Sequence, residues 1–257
     1  MTQSDSGAEG GVSSSVTNGV ATIRFDHPKG NSLPASVLQG LAAEIAGQGE
    51  NAAARVIVLR SEGSGPFCAG ASFDELKAIQ KVEQGSQFFS GFAKVILAMI
   101  RAPKFVLVRV HGKAAGGGVG LVSASDYAFA VKGASARLSE LALGIGPFVI
   151  GPVVDRRVGH AAFAAMSVDA DWRDAAWGER HGLYSRVFDD VTAMDAALDA
   201  LATTLAASNP DAMAQLKRVF WEGTESWETL LQDRARMSGT LVLGEYTKRA
   251  IAAFGKG

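Results

Sequence analysis

The order of apolar and polar positions predicts alternating strands and helices over the first half of the chain. Residues 20–25 alternate between apolar and polar side chains, as a half-buried strand does, and residues 55–60 form an apolar run typical of a strand buried on both faces. Between them, apolar residues recur at helical spacing from Pro34 to Gly47, where we expect the helix to end. The pattern therefore predicts a βαβ unit.

A second unit of strand, turn and helix follows a long predicted helix. Apolar residues at helical spacing predict that helix over residues 82–101, with its aromatic side chains in the core. Residues 105–110 are rich in valine and predict the next strand. Three consecutive glycines, residues 116–118, then lead into a short apolar helix over residues 119–125 and a strand over residues 126–131.

The last third of the chain has a different pattern. Residues 141–152 contain three glycines and two prolines, which exclude a long regular helix and predict a shaped loop. From residue 153 onward helical patterns dominate, interrupted by a strand-like run at residues 184–188. The predicted helices cover residues 153–166, 172–181, 194–207, 210–221 and 227–254. These helices form a predicted module that packs on its own sheet or on a neighbouring chain.

The composition narrows the class of protein. A chain of 257 residues is long enough for one large α/β domain. Its 25 basic and 26 acidic residues give a formal net charge of −1, which argues against nucleic acid or an anionic membrane surface as a partner. No run of about 18 uncharged apolar residues occurs, so the sequence predicts no membrane-spanning helix.

Cysteine and histidine usage bears on the compartment and on metal binding. Cys68 is the single cysteine, so no disulfide can form within the chain, and we expect a reducing compartment, the cytoplasm. The four histidines are scattered without zinc-ligand spacing, so we expect no metal site. The first 17 residues are polar and glycine-rich, without the basic start or apolar run of a signal peptide. They predict a disordered tail over residues 1–17.

The glycine triplet at residues 116–118 is a candidate ligand site. Residues without a Cβ let a ligand approach the main chain, and the first amides of a helix have no partner within it. An anion or a polarised carbonyl oxygen would fit there. The dinucleotide-binding pattern fails because Leu121 stands where it requires glycine, and no phosphate-binding G-K-[ST] follows. The alternative is a close contact between helix and strand without a ligand.

A second turn of small residues lies earlier in the chain. Residues 61–76 are rich in glycine, serine and alanine, and they lead into a helix whose N-terminus Asp74 and Glu75 would stabilise. Main-chain amides can be exposed in this turn as well. The sequence therefore offers two separate places for backbone contacts to one ligand.

From Val20 to the C-terminus the chain resembles the enoyl-CoA hydratase/isomerase (crotonase) family. Residues 67–74, Phe-Cys-Ala-Gly-Ala-Ser-Phe-Asp, resemble the family's F-x-A-G-x-D segment, with one shifted residue before the acid. Residues 110–118, Val-His-Gly-Lys-Ala-Ala-Gly-Gly-Gly, resemble its V-x-G-x-A-x-G-G-G segment. Residues 139–145, Ser-Glu-Leu-Ala-Leu-Gly-Ile, resemble its P-E-x-x-x-G-x segment. Further similar segments are residues 157–159, 175–183 and 251–254.

The resemblance implies an α/β fold, a crotonase-like spiral of ββα units followed by a C-terminal helical trimerisation module. The expected organisation is a tail over residues 1–17, an acyl-CoA-binding core over residues 18–190 and an oligomerisation module over residues 191–257. The resemblance also implies a homotrimer or a dimer of trimers. The substrate would be an acyl-CoA thioester, without a separate cofactor, since coenzyme A is part of the substrate.

The implied catalytic groups are two backbone amides and one carboxylate. By the resemblance, the N–H groups of Ala71 and Gly117 form the oxyanion hole for the thioester oxygen, and Glu140 is the acid–base residue. Family hydratases carry a second glutamate two residues after the glycine triplet, where this chain has Gly120. One carboxylate can move a proton from C2 to C4 of the same enolate. We therefore favour double-bond isomerisation of an enoyl-CoA.

Three alternatives stay open. A hydratase would draw its second polar group from elsewhere, for example from Glu62, Asp74 or Glu75. A decarboxylase or hydrolase of the same fold would release carbon dioxide or a free thiol. A catalytically silent acyl-CoA-binding oligomer is the non-enzymatic alternative, and the glycine at position 120 motivates it.

Several further residues have an expected role. The resemblance implies that Lys29, Ala69, Phe254 and Lys256 contact coenzyme A. We expect Phe148 to make the pocket apolar, which argues against dienoyl-isomerase or dehalogenase chemistry. The remaining candidates, Cys68, His111 and Asp126, are expected to pack, cap or turn the chain.

Overall fold

The computed structural model describes residues 10–254, in which two sheets are covered by helices. The strands are β1 (Gly11–Thr17), β2 (Val20–Asp26), β3 (Val56–Ser61), β4 (Val106–Val110), β5 (Ala114–Ala115), β6 (Tyr127–Val131), β7 (Ser135–Arg137), β8 (Arg173–Asp174) and β9 (Arg186–Phe188). The helices are α1 (Ala35–Glu50), α2 (Phe73–Ala78), α3 (Val82–Arg101), α4 (Gly117–Ser123), α5 (Gly151–Val158), α6 (His160–Asp169), α7 (Ala175–Arg180), α8 (Val191–Ala206), α9 (Pro210–Phe220), α10 (Trp227–Leu241) and α11 (Glu245–Phe254). A single 3-10 turn lies at Leu141–Leu143.

The larger sheet has the strand order β1-β2-β3-β4-β6-β9. Its first pair is antiparallel and the others are parallel, as the predicted βαβ units require. Helix α1 packs on the face that carries Phe25, whereas α8 packs on the opposite face, where Asp195 pairs with Arg109. The second sheet is short, with the order β5-β7-β8, and it lies beside the glycine turn.

Helix α3 is the central helix of the domain and matches the predicted bounds. Its buried face carries Phe88, Phe92 and Met99 and contacts both α1 and α10. Gly85 and Gly239 allow α3 and α10 to approach closely, because a Cβ on Gly85 would lie 2.7 Å from the Cα of Gly239. The C-terminal helix α10 is thereby packed directly against the core.

The prediction of a disordered tail over residues 1–17 is wrong for its second half. Residues 11–17 form β1, which pairs with β2 along its whole length. The connecting turn is Asn18-Gly19, with φ values of 50° and 80°, a conformation that matches the twist of a two-residue hairpin. Residues 1–9 lie outside the described part of the chain.

Glycines set several helix ends differently from the prediction. Gly159, with a φ of 84°, divides the predicted helix over residues 153–166 into α5 and α6. The predicted helix over residues 227–254 is two helices, α10 and α11. Gly47 does not end α1, which continues to Glu50.

A buried ion pair ties the C-terminal helices to the sheet. Lys217 of α9 lies 2.8 Å from Asp126 and donates to the carbonyl oxygens of Met99, at 2.7 Å, and Lys104, at 2.8 Å. The predicted boundary at residue 190 is therefore bridged by side-chain contacts. Within residues 10–254, no helix has both the length and the apolar character needed to cross a bilayer.

Candidate active site

One pocket lies between the two small-residue turns, the N-terminal half of α3, the 139–150 loop and α10. It has a volume of about 580 Å³, including the part that opens to solvent. Most of its lining is apolar. The side chains that make it so include Phe73, Leu76, Phe89, Phe92, Ile145 and Phe148.

Pairing between the turns brings Ala71 and Gly117 to the same pocket. Cys68 pairs in parallel with Ala114, its N–H donating to the Lys113 carbonyl at 3.1 Å, and the Ala115 N–H donates back to Cys68 at 2.9 Å. Ala71 and Gly117 each follow the paired residues by the same number of positions. The pairing itself stops before these two positions, where Ala71 pairs with Leu33 and Gly117 begins α4, but both residues line the pocket.

Neither of these two amides donates a hydrogen bond to any residue in the range 10–254. Gly117 is the first residue of α4, where a helix supplies no acceptor. Leu33 pairs with the residues on either side of Ala71: its N–H donates to the Gly70 carbonyl at 2.8 Å, and its carbonyl accepts from the Ser72 N–H at 3.3 Å. The N–H of Ala71 itself therefore stays free. Both N–H groups are therefore free to donate to a ligand in the pocket.

Glu140 is the carboxylate of this pocket. It directly precedes the 3-10 turn, and its Oε2 atom is shielded from solvent and has no hydrogen-bond partner in the described chain. Burial raises the pKa of Glu140 to about 7, although the backbone amides of Glu140 and Ser139 lower it in part. At neutral pH such a group can both accept and return a proton.

The glycine triplet is required by close contacts on three sides. Gly116 has a φ of 49°, and a Cβ there would lie 2.9 Å from Oε1 of Glu140. A Cβ on Gly117 would lie 2.1 Å from the ring of Phe92, and one on Gly118 would lie 2.8 Å from Cys68. The contacts confirm the close-packing role of the triplet, whereas access of a ligand to its main chain stays a prediction.

Gly120 faces an apolar wall of the pocket. A Cβ on Gly120 would lie 2.6 Å from Cγ2 of Ile150, and the next neighbour is Ile96. Ile150 lines the pocket and is buried. The space into which a side chain at position 120 would extend is thus filled by isoleucine.

The three carboxylates considered as a second acid have partners elsewhere. Glu62 pairs with Arg24 at 3.3 Å, and Asp74 pairs with Lys29. Glu75 accepts from the amide of Ala35, at the start of α1, at 2.8 Å. None of them lines the pocket, and among the described residues Glu140 is the single acid that does.

The residues expected to contact coenzyme A are only partly brought together. Ala69 lines the pocket beside Ala71. Lys29 lies outside the pocket lining and is exposed, with its ammonium group on Asp74. Phe254 is the last residue of α11, and its side chain is not among the described groups. Lys256 lies outside the described residues.

Two further residues of the pocket lining, Phe148 and Ser238, lie outside the three family-like segments. The ring of Phe148 folds over Gly146, where a Cβ would lie 2.4 Å from Cζ, so the pocket is apolar at this point as expected. Ser238 was not predicted, and it comes from α10 with only 2% of its surface exposed. The glycine that follows it within a helix was the available signal, because such a glycine often marks a close helix contact.

The other polar candidates, Cys68, His111 and Asp126, do not line the pocket. Cys68 is buried, and burial raises the pKa of its thiol to about 12, so it stays protonated. His111 does not line the pocket, and burial together with Arg109 lowers its pKa. Asp126 accepts from the Val106 amide at 2.7 Å. Within residues 10–254 no group of three or more His, Cys, Asp or Glu side chains could hold a metal ion.

Comparison with known proteins gives the same family along nearly the whole chain. The sequence profile described as enoyl-CoA hydratase/isomerase matches residues 15–254. A probable enoyl-CoA hydratase of Bacillus subtilis is 27% identical over 245 residues, which cover 95% of each chain. The (7aS)-7a-methyl-1,5-dioxo-2,3,5,6,7,7a-hexahydro-1H-indene-carboxyl-CoA hydrolase of Mycobacterium tuberculosis is 29% identical, covering 70% of this chain and 74% of the relative.

A solved structure supports the fold independently. The enoyl-CoA hydratase of Bacillus halodurans superposes with a TM-score of 0.87 at 18% identity, covering 94% of this chain and 99% of that one. At this identity the likeness concerns the fold alone. It confirms the predicted α/β fold of the crotonase type.

Proposed function

This chain belongs to the enoyl-CoA hydratase/isomerase family and is an enzyme of that family, and we propose that it shifts the double bond of an enoyl-CoA. The substrate in this proposal is an acyl-CoA thioester with its carbonyl oxygen on the amides of Ala71 and Gly117. Glu140 removes the proton from C2, and the electrons move onto the thioester oxygen. The same residue then returns the proton at C4, which leaves a double bond between C2 and C3.

The two free amides support the enolate step. When C2 loses its proton, negative charge develops on the thioester oxygen, and preorganised N–H donors stabilise that charge more than they stabilise the neutral carbonyl. Loss of one such donor typically costs about 3 kcal/mol of transition-state stabilisation. The apolar lining strengthens this effect because water is excluded from the reacting centre.

The observation that carries the choice of reaction is the single carboxylate of the pocket. Hydration at C2 and C3 needs a group that positions and activates water together with a group that protonates carbon. In this pocket Glu140 faces the substrate alone among the described acids, and Ile150 fills the space beside Gly120. A proton shuttle within one bound substrate needs only one base whose pKa lies near neutrality, and that of Glu140 is about 7.

The test is product analysis with two substrates. We expect a 3-enoyl-CoA to be converted to the trans-2-enoyl-CoA, with no 3-hydroxyacyl-CoA formed from either isomer. With deuterium at C2, a single-base shuttle predicts transfer of part of the label to C4 in ordinary water. Accumulation of 3-hydroxyacyl-CoA would instead identify a hydratase and contradict the proposal.

Other outcomes correspond to the remaining alternatives. Release of free coenzyme A would favour hydrolysis of the thioester, and release of carbon dioxide would favour decarboxylation. Saturable binding of acyl-CoA without any product would identify a silent binding protein. Each of these results would replace the isomerase proposal.

A further inference from the structure

A row of three arginines crosses the face of the larger sheet on which α8 packs. The parallel register pairs Arg24 of β2 with Arg60 of β3, and Arg60 with Arg109 of β4. Because neighbouring strands lie about 4.8 Å apart, side chains paired in this way are direct neighbours on one face. None of the three lines the active-site pocket.

The two outer arginines have carboxylate partners. Arg109 is bound by both oxygens of Asp195, with Nε–Oδ1 at 2.5 Å and Nη2–Oδ2 at 3.0 Å. Arg24 makes a looser pair, with its Nε 3.3 Å from Glu62, and its Nη1 donates to the hydroxyl of Ser15 at 3.1 Å. The side chains of Arg24 and Glu62 are 36% and 47% exposed, so this pair is weak.

The central arginine has no partner of this kind. The side chain of Arg60 forms no hydrogen bond or ion pair with any residue in the range 10–254, and its Nε is buried and unsatisfied. Burial and the positive charges of Arg109 and Arg24 lower its pKa, although the carboxylates of Asp195 and Glu62 raise it in part. One further carboxylate, that of Asp26, follows Arg24 by two residues on β2. It is exposed and forms no ion pair with a described cation. The three arginines of the row thus share two carboxylates, Asp195 and Glu62, and one positive charge of the row has no direct partner among the described residues.

We propose that the arginine row binds a phosphate group. A tetrahedral anion has enough oxygens to accept from the planar donor sets of Arg60 and Arg24 at once. The exposed hydroxyls of Ser13 and Ser15 extend the same face, since Ser13 is paired with Arg24 across β1 and β2. They add neutral donors at the open side of the row.

The phosphate could be inorganic phosphate or part of a larger ligand, and coenzyme A itself carries phosphates. Both sources present the same phosphate chemistry to the arginines. They differ in whether coenzyme A and inorganic phosphate compete for the site. If the row holds a phosphate of coenzyme A, coenzyme A displaces inorganic phosphate. If the site is separate, both bind the same protein together. The inference about the row therefore does not depend on the proposed reaction.

The experiment is a titration of the full chain with inorganic phosphate in a chloride buffer, followed by phosphorus NMR and by thermal unfolding. We expect saturable binding and a rise in Tm with phosphate. In the Arg60→Gln variant, phosphate affinity should fall about tenfold or more, and its Tm should no longer respond to phosphate. Without phosphate, the Tm of the variant should equal or exceed that of the parent, because a repulsive charge has been removed.

The matched control is Arg55→Gln, an exposed arginine at the opposite end of the β3 region. It should bind phosphate like the parent protein. Absence of saturable phosphate binding, or equal affinity in the two variants, would overturn the proposal. A concentration-dependent dimer that Arg60→Gln abolishes, without phosphate binding, would assign the row to a carboxylate of a second chain and would also overturn it.

Discussion

Gly116 and Gly120 lie one helical turn apart, and each leaves room for a different side chain that lines the pocket. Gly116 leaves room for the carboxylate of Glu140, whereas Gly120 leaves room for the side chain of Ile150. The local device is the same, a missing Cβ that admits a neighbour. The neighbours differ, and so one wall carries a titratable acid and the other is hydrocarbon. The reaction depends on what each glycine admits, not on the glycine itself.

Removing the acid from the first wall should have the largest effect. We expect Glu140→Gln to lower kcat by about 10²–10⁴-fold, the usual contribution of a general acid–base group. The affinity for acyl-CoA should change little, because the amide keeps the shape of the carboxyl group. Steady-state isomerase assays and equilibrium binding measure the two quantities. The exposed Glu222→Gln serves as the control, and equal activity of both variants would exclude Glu140 as the base.

Displacing the acid without removing it should have the next largest effect. In Gly116→Ala the new methyl group would lie 2.9 Å from Oε1 of Glu140, and its φ of 49° is unfavourable for alanine. We expect kcat to fall about 100-fold, since a shift of about 1 Å in a catalytic group can cost that much. Gly133→Ala, which meets nothing within 4 Å, should be neutral. Full activity of Gly116→Ala would contradict the described position of the Glu140 carboxylate against Gly116.

Adding a methyl group at position 120 should lower the stability of the protein. In Gly120→Ala the new Cβ would lie 2.6 Å from Ile150, so we expect a loss of about 1–3 kcal/mol in the free energy of unfolding. Ile150→Ala should make room, and the double variant should lose less than the two single losses combined. Denaturant unfolding of all four proteins measures this coupling. Simple additivity would mean that the two residues do not share the space.

The rate should also depend on pH through the ionisation of Glu140. Glu140 must be ionised to accept the proton, so with a pKa of about 7 the rate at saturating or subsaturating substrate should fall about tenfold per pH unit below 7. A rate that is flat between pH 5 and 8 would contradict a buried carboxylate base.

The raised pKa of Glu140 also affects stability, which should fall as pH rises, whereas the rate should rise. The folded carboxyl binds a proton more tightly than the unfolded one, so its contribution to stability is present below pH 4.5 and is lost as pH rises to about 7. Glu140→Gln should therefore gain on the order of 3 kcal/mol over the parent at pH 8. At pH 4 the two proteins should be alike, and thermal unfolding at the two pH values measures the difference.

Local patterns were sufficient for much of the fold and for one wall of the site. The bounds of α3 follow from its apolar periodicity, and the resemblance of three short segments to family motifs indicated Ala71, Gly117 and Glu140, which all line the pocket. In these cases the residues that matter are close together in sequence. The roles given to them stay predictions until the variants are measured.

The failures share a physical reason, which is dependence on distant partners. Strand β1 is polar and gains its order from pairing with β2, although Asn18-Gly19 was a usable hairpin signal. Ile150 meets Gly120 and Ser238 reaches the pocket only through tertiary packing. The spacing of residues along the chain does not predict contacts of this kind. The expected oligomer and the coenzyme A contacts of Lys29, Phe254 and Lys256 stay predictions.

The late position of Ser238 in the chain has a consequence for biosynthesis. Ribosomes make proteins from the N-terminus, and the strands and both oxyanion turns emerge well before α10. A nascent chain that has not yet released residue 238 has its catalytic elements but lacks one side of the cavity. The pocket lining is therefore complete only after α10 has been synthesised.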